Sequence, residues 1–491
     1  MPDAYQPTLH EVLKLAQDFP VVGEEKNILT VATALPMGGA ILMDGPSRGG
    51  KDRTIDGVSN VYSADPRNSG LIYYMSSSGS STSPYYAADR MNACPVHRWK
   101  DLVNLGNEEE SIIKAHGGGE PAIREVTDIT IQDVVEKRIN VPHTLILFIA
   151  SDNESVDLND YPEVRNRCLI ISVDGSAEQT ARIQKQQALA EAKLWKPKIE
   201  REDAARIREH MRSLFSVVKP FDDGQAEFYN PGAVQLNEQG AIPALFTEGR
   251  EDQKRLFRFM RAITLFHYKE RDKVRIDGKP NLVVTPVDCW LGMEIFGENM
   301  VKSSLNLRGH DPIVLRKLRE SGDSYTVGEI HQMLIQDGHN VTDRDVRRSL
   351  ESMQTKGYVI RYEESPITFQ ASPMASYQDY DNIIDWHEVV RSCEEQVRKT
   401  LTPEDSQAFI DKWLSDEGLT TIHPITGEPV HILESTEQAD EMKEAEDALK
   451  DALGVQWGSG RSSNSEADSE SEAVPAPKVE KNGEVRQGTL S

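Results

Sequence analysis

The sequence predicts an α/β P-loop NTPase core followed by a helical module, a winged-helix domain and a disordered acidic tail. Three observations favour this fold class. An apolar run at 40–43 leads into a glycine-rich loop of the form G-x-x-x-x-G-K. Further apolar runs of strand length alternate with helical patterns to about residue 195. Residues 311–372 then show three helical segments followed by two short strands.

The first helical patterns lie at residues 8–35, where apolar residues recur at helical spacing. Pro20 and Gly23 interrupt them, so we predict two helices. These helices are expected to pack before the first strand.

The loop runs from Gly45 to Lys51, before a predicted helix that begins at Asp52. Glycines let successive backbone N–H groups turn toward phosphate oxygens, the lysine reaches the β- and γ-phosphates, and the helix N-terminus adds its positive dipole end. The pattern predicts an ATP site, and a glycine-rich turn that binds nothing is the alternative. The predicted nucleotide-binding residues are Gly45, Pro46, Ser47, Arg48, Gly49, Gly50, Lys51 and Asp52.

Asp52 occupies the position at which a Ser or Thr hydroxyl normally binds Mg²⁺. A carboxylate can coordinate Mg²⁺, but beside a triphosphate it adds repulsion. We therefore expect either a rearranged metal site with Asp52 as a ligand or weak hydrolysis. The acidic strand end that would complete a magnesium site falls at 96–106, where the apolar run is short and Glu108 to Glu110 come late. That acidic motif is degenerate or displaced.

Residues 123–139 alternate like a β-hairpin or a strand inserted in the core, and 144–150 form the most strand-like run of the chain. Polar residues at the carboxyl end of a buried parallel strand lie in the ligand crevice. Asn153 is therefore a candidate sensor of the γ-phosphate. Arg167, just before a strand predicted at 168–173, is a candidate arginine finger for a neighbouring subunit. A solvated loop residue is the alternative for each.

The next patterns are helical. Residues 177–212 are predicted to be one charged helix leaving the core, and 251–271 form an amphipathic helix in which we interpret His267 as a packing residue. Thr285 is predicted to be the N-cap of the helix that follows, with Pro286 in its first turn.

The last helix of the 311–372 segment begins after Thr342 and has the pattern of a DNA-recognition helix. Its basic residues lie near its start, where such helices meet base edges and phosphates. A winged helix that only contacts protein is the alternative, because acidic residues dilute the basic patch. The predicted DNA-binding residues are Thr342, Arg344, Arg347, Arg348 and, in the wing, Arg361.

Composition restricts the classes of protein. The 491 residues carry a formal charge of −25, which argues against general adhesion to nucleic acid and favours a halophilic source. The four cysteines form no C-x-x-C pair and are expected to be reduced. Neither a spanning apolar run nor a signal sequence is found, so we expect a cytoplasmic protein.

The predicted domain boundaries lie where the helical and strand patterns of the sequence change. The C-terminal stretch has almost no apolar residues, so it cannot bury enough surface to offset its ordering entropy. The expected parts are a P-loop core at 1–195, a helical module at 196–308, a winged helix at 309–375, acidic helices at 376–455 and a disordered tail at 456–491.

Several stretches together resemble the ATPase domain of primase-associated, helicase-like proteins of phages, plasmids and integrated elements. They are the Gly23-Glu24-Glu25 turn with its helix, GPSRGGKD, YYMSSS, PHTLILFIASDN and the D-x-S-x-E-Q-T element at 174–180. The similarity covers roughly residues 15–190, and a helical module with a winged helix also follows in that family.

The resemblance implies an AAA+ ATPase that acts on DNA during replication of a mobile element, as a homo-oligomeric ring such as a hexamer. By position, Lys51 would hold the phosphates and Arg167 would act on a neighbouring subunit. This chain departs from the family at Asp52 and near Asn104, where no glutamate is in register. The function is therefore either an ATP-driven helicase-like motor or loader, or a non-enzymatic DNA-binding initiator or regulator with a degenerate nucleotide-binding core.

Overall fold

The structure is a computed structural model of the chain. It describes residues 5–19, 21–46, 48–75, 83–101, 107–117, 119–128, 133–150, 168–242, 248–297, 299–300, 307, 310–339, 341–363, 365–372 and 384–434. The chain divides into two compact units, Met1–Glu444 and Ala445–Ser491, and every described residue belongs to the first. The predicted tail and residues 435–455 of the predicted acidic helices thus lie outside the described residues.

The strands are β1 (Gly39–Gly45), β2 (Ile72–Tyr74), β3 (Val96–Asp101), β4 (Ala122–Asp128), β5 (Asp133–Ile139), β6 (Thr144–Ala150), β7 (Cys168–Ser172), β8 (Glu227–Tyr229), β9 (Lys273–Ile276), β10 (Lys279–Val283), β11 (Val359–Tyr362), β12 (Thr368–Ala371), β13 (Thr420–Ile422) and β14 (Pro429–His431).

The helices are α1 (Leu9–Ala16), α2 (Glu25–Ala34), α3 (Lys51–Tyr62), α4 (Ser83–Tyr86), α5 (Ala88–Asn92), α6 (Asn107–Gly117), α7 (Ala177–Glu191), α8 (Arg201–Val217), α9 (Lys219–Asp222), α10 (Ala233–Glu238), α11 (Glu248–Phe266), α12 (Pro286–Gly292), α13 (Asp311–Ser321), α14 (Val327–Gln336), α15 (Asp343–Thr355), α16 (Trp386–Thr400) and α17 (Pro403–Trp413). Short 3₁₀ turns lie at Leu35–Met37 and Pro66–Asn68, and a π-helical turn at Met293–Gly297 follows α12.

A five-stranded parallel sheet in the order β2-β3-β6-β1-β7 confirms the predicted α/β class. Strand β1 pairs with β6 over its whole length, from Gly39 opposite Thr144 to Gly45 opposite Ala150. From β1 the chain crosses to the far edge at β2, returns to β6 and then places β7 on the other side of β1. In open α/β sheets, ligands bind beyond the carboxyl ends of the strands where the connections change direction. The predicted loop follows β1 at that edge.

Both faces of this sheet are covered, which explains the near-continuous apolar sequence of its strands. Ile41 and Met43 belong to the core under α1, α2 and α3, whereas Leu42 points into a second core with Trp99 and Leu147. The predicted helices at 8–35 are confirmed as α1 and α2. Of the two alternatives for 123–139, a hairpin or a strand, the structure has the hairpin β4-β5.

Two predictions for the region after the sheet were wrong. The single helix predicted at 177–212 is two helices, α7 and α8, and α8 returns to the core with Ile207, Met211 and Leu214 buried. The module at 196–308 is not only helical, because β8, β10 and β9 form a three-stranded sheet. Its hairpin turns at Asp277 and Gly278, both with positive φ, and an Asp-Gly pair is a strong hairpin signal in sequence.

His267 does more than pack, which corrects its interpretation. Its Nδ1 lies 3.4 Å from a carboxylate oxygen of Asp288, which is fully buried. Arg271 donates two hydrogen bonds to the same carboxylate, at 2.6 and 2.9 Å. Burial alone raises the pKa of Asp288, but the nearby Arg271 and His267 hold it well below its usual range. Asp288 also completes the predicted cap of α12, where Thr285 accepts a hydrogen bond from its N–H.

Residues 310–372 form three helices, α13 to α15, and the hairpin β11-β12 around their own core. An isolated bridge between Tyr325 and Phe369 ties the segment before α14 to the hairpin. Each of these helices and strands overlaps a predicted one.

The acidic segment 384–434 also contributes to the first core. Trp386, Val389 and Cys393 of α16 are buried there, together with Leu419 and Ile432. All four cysteines of the chain are free thiols. Within the described ranges, no helix is both long and apolar enough to span a membrane.

Candidate nucleotide-binding site

The loop after β1 begins where the backbone is closely packed. A Cβ atom at Gly45 would lie 2.1 Å from Cγ2 of Val173, so a larger residue does not fit without movement. The loop then turns through a hydrogen bond from the Gly49 N–H to the Pro46 carbonyl, at 2.9 Å. Gly50 is the residue before α3 and has a φ of 94°, a left-handed conformation that glycine adopts without strain. The glycines thus bend the chain from the strand directly into the helix.

Lys51 is the first residue of α3 and its side chain lies over the loop. The residue is only 7% exposed. Its Nζ donates hydrogen bonds to the carbonyls of Gly45, at 2.5 Å, and Pro46, at 3.1 Å. An ammonium group and the N-terminus of a 12-residue helix therefore meet at one point, where both favour an anion.

Asp52 is bound by an arginine that the sequence had not singled out. Arg98 of β3 donates from Nη2 to Asp52 at 2.5 Å and from Nη1 to Asp56, one helical turn later, at 2.6 Å. Burial alone lowers the pKa of Arg98, but the hydrogen bonds and charges of Asp56 and Asp52 raise it above its usual value. The guanidinium therefore stays charged and bridges two carboxylates of α3.

A magnesium ion does not fit Asp52 as the structure has it. The loop supplies no hydroxyl at this position, and the carboxylate that replaces it is engaged by a cation. Elsewhere in the part of the chain that the structure describes, no group of three or more His, Cys, Asp and Glu side chains could hold a metal ion. Strand β3 ends at Asp101, so the backbone does place an acidic residue at the end of the expected strand.

The Gly23-Glu24-Glu25 turn and the 174–180 element meet beside the loop. The Gln179 side chain donates a hydrogen bond to the Val22 carbonyl at 2.6 Å, and a Cβ atom at Gly23 would overlap that side chain. A Cβ atom at Gly175 would lie 2.8 Å from Cγ of Pro46 in the loop. Gly175 was not predicted as a site residue. The only sequence signal for it was its place in the D-x-S-x-E-Q-T element at 174–180.

Glu24 joins these two motifs through a buried carboxyl group. It is 5% exposed and accepts hydrogen bonds from the Asp174 N–H at 2.9 Å and from the Asn27 side chain at 2.5 Å. Asn27 also donates to the carbonyl of Ser172, at the end of β7. Burial raises the pKa of Glu24 to about 7, although both hydrogen bonds oppose this change.

Three predicted site residues lie outside the described residues: Ser47, Asn153 and Arg167. Of the others, the predicted loop residues lie between the end of β1 and the start of α3, and Asp52 faces Arg98. No sequence signal marked Arg98 as part of this site, because it lies 46 residues from Asp52.

The predicted DNA-binding residues lie at the start of α15 and on β11. Thr342 is used as the N-cap, since its hydroxyl accepts from the Asp345 N–H while the Asp345 carboxylate accepts from the Thr342 N–H. The side chains of Arg344, Arg347 and Arg348 are exposed. The guanidinium Nη2 of Arg347 lies 3.7 Å from the Asp343 carboxylate. Arg361 is half-buried and lies 3.2 Å from Glu363.

No protein-family profile and no curated protein sequence matches the chain. Among the solved structures that resemble it is the SCCmec type IV Cch active helicase, with 13% sequence identity and a TM-score of 0.29. The match covers 75% of this chain and 68% of that one.

Proposed function

We propose that the chain binds ATP at the loop after β1 and is an ATP-hydrolysing, helicase-like motor or loader that acts on DNA. The single observation that carries the proposal is the buried Lys51 ammonium, held over the loop at the N-terminus of α3. This loop lies beyond the carboxyl end of a central parallel strand, where α/β proteins bind their ligands. The resemblance at residues 15–190 adds replication of a mobile element, an AAA+ ring such as a hexamer, and Arg167 as the residue acting between subunits.

DNA contact is assigned to the winged helix at 309–375. The order of three helices and a hairpin supports a winged helix. In DNA-binding domains of this kind, the third helix enters the major groove. Three exposed arginines lie in the first two turns of that helix, α15. They supply a local cationic patch on a chain whose total charge is −25.

A second candidate function is a DNA-binding initiator or regulator that binds nucleotide without turning it over. The specific observation that favours it is Asp52, which replaces the usual hydroxyl ligand of Mg²⁺ and is paired with Arg98. Steady hydrolysis of ATP, stimulated by DNA, supports the motor. Nucleotide binding without turnover supports the regulator.

The test is nucleotide affinity of the full chain and its Lys51→Ala variant in a buffer of high KCl. A hydrogen bond to a charged group contributes about 1.5–3 kcal/mol, so we expect affinity for ATP to fall by about 10- to 150-fold. Lys114→Ala, on a half-exposed lysine of α6, is the matched control and should leave affinity unchanged. Equal affinities of Lys51→Ala and the unaltered chain would refute nucleotide binding at this loop.

A further inference from the structure

Arg98 is a buried cation fixed in place by its surroundings. Its side chain is 11% exposed. The guanidinium carbon lies 5.2 Å from the centre of the Tyr74 ring and 5.3 Å from that of Phe148. Guanidinium groups stack well on aromatic faces, and stacking leaves the N–H groups at the edge free to donate. The donors of Arg98 therefore point toward the first turns of α3.

The two partners of Arg98 differ in how firmly they are held. Asp52 directly follows Lys51, and its side chain is 78% exposed. Asp56 lies one turn further along α3, and its side chain is 36% exposed. The exposed carboxylate can rotate into solvent while the Asp56 carboxylate keeps Nη1 in place.

We propose that Arg98 is a phosphate-binding residue of the loop, and that the Asp52 carboxylate competes with the nucleotide phosphate for its Nη2 group rather than holding Mg²⁺. This inference rests on the proposed nucleotide site at Lys51. It assigns a second cation to that site, contributed by β3.

The chemistry of the groups supports an exchange of partners. A guanidinium presents N–H donors in a planar fork that matches carboxylate and phosphate alike. The donor already lies 2.5 Å from the side chain that follows the phosphate-binding lysine. When Asp52 turns away, the positive charge beside Lys51 increases and a carboxylate that repels phosphate is removed. In this arrangement Asp52 contributes no ligand to a metal.

The experiment measures the affinity of the full chain for fluorescent ATP and ADP analogues by polarisation, in MgCl₂ and in EDTA. Asp52→Asn removes the competing charge and keeps the size of the side chain. Since an exposed ion pair is worth up to about 1 kcal/mol, we expect affinity for ATP to rise by up to about fivefold in both buffers. Arg98→Gln should lower affinity about tenfold or more, the effect of losing one charge-assisted hydrogen bond.

Asp89→Asn is the matched control, because it removes the same charge from an exposed carboxylate of α5, 90% exposed, whose ion-pair partner at 3.7 Å is Lys137 rather than Arg98. It should change affinity by less than about twofold, since an exposed ion pair that does not include Arg98 contributes little to binding at the loop. The double variant Asp52→Asn with Arg98→Gln should bind like Arg98→Gln alone, because without the arginine there is nothing to compete for.

Opposite results overturn the proposal. Weaker ATP binding by Asp52→Asn, seen with Mg²⁺ but not with EDTA, would make Asp52 a metal ligand. Equal gains in Asp52→Asn and Asp89→Asn would reduce the effect to general charge. Asp52 is exposed, so its variant stays informative even where Arg98→Gln fails to fold. Failure of the proposed function itself is distinguishable, because then the unaltered chain binds neither nucleotide.

Discussion

The buried Glu24 carboxyl predicts how the junction beside the loop responds to pH. The perturbation is Glu24→Gln, studied over a range of pH. Glutamine keeps an oxygen that can accept from the Asp174 N–H, but its amide does not titrate. Any difference in pH dependence between the two proteins therefore reports the Glu24 carboxyl group.

Burial raises the pKa of Glu24 from 4.5 to about 7, so the folded chain binds this proton more tightly than the unfolded chain does. A raised carboxyl pKa gives a contribution to stability that is fully present below 4.5 and is lost as the pH rises through about 7. At roughly 1.4 kcal/mol for each pKa unit, the whole change is on the order of 3 kcal/mol. Above about pH 8, the ionised and buried Glu24 is at its greatest disadvantage against glutamine.

The assay is thermal unfolding of both proteins from about pH 5 to about pH 8, and the quantity compared is the Tm of the unaltered chain minus that of Glu24→Gln. We expect this difference to fall by a few degrees as the pH rises. Glu178→Gln, on an exposed residue of α7, is the control and should give a flat difference. A difference for Glu24→Gln that stays flat or rises with pH would refute the argument from burial.

Two further predictions concern the loop and the DNA-binding helix. Gly45→Ala places a Cβ atom 2.1 Å from Val173 and should destabilise the chain by about 1–3 kcal/mol; adding Val173→Ala should restore part of the loss in thermal unfolding. Arg347→Ala with Arg348→Ala should weaken duplex binding for all sequences if both contact phosphates, and should reduce the slope of log affinity against log salt by about 2. An unchanged slope would place the DNA contact elsewhere.

Much of the fold could be predicted because its signals are local. Strand β6, the loop glycines and the cap of α12 are each encoded within a few consecutive residues, and each lies where it was expected. The sheet β8-β10-β9 was missed for two reasons. Strand β8 has three residues and pairs with β10, more than fifty residues later, so no local pattern marks it. The Asp277-Gly278 pair does indicate a hairpin turn, but the region was predicted to be helical from its longer patterns.

The candidate site was predictable only in its backbone. The motif placed Lys51 at the start of α3, because spacing along one strand, loop and helix decides it. Which charged side chains meet at the loop depends on the order of the strands in the sheet. Arg98 reaches α3 from β3, and β3 is separated from β1 by β6. In the sequence alone Asp52 has no visible partner, so its position in the motif favours a metal ligand. The partner becomes visible only when the order of the strands is known.

The Gly23-Glu24-Glu25 turn and the 174–180 element have a structural role beside the loop. They are about 150 residues apart in sequence, yet Glu24 binds the backbone of Asp174 and Gln179 binds that of Val22. The first contact joins the start of α2 to the residues after β7, and the second joins the turn before α2 to the first turn of α7. Gly175, between Asp174 and α7, packs against Pro46 of the loop. Their described polar contacts are therefore with protein backbone and neighbouring side chains. The motifs position the loop from its β7 side, which is a role that spacing alone does not reveal.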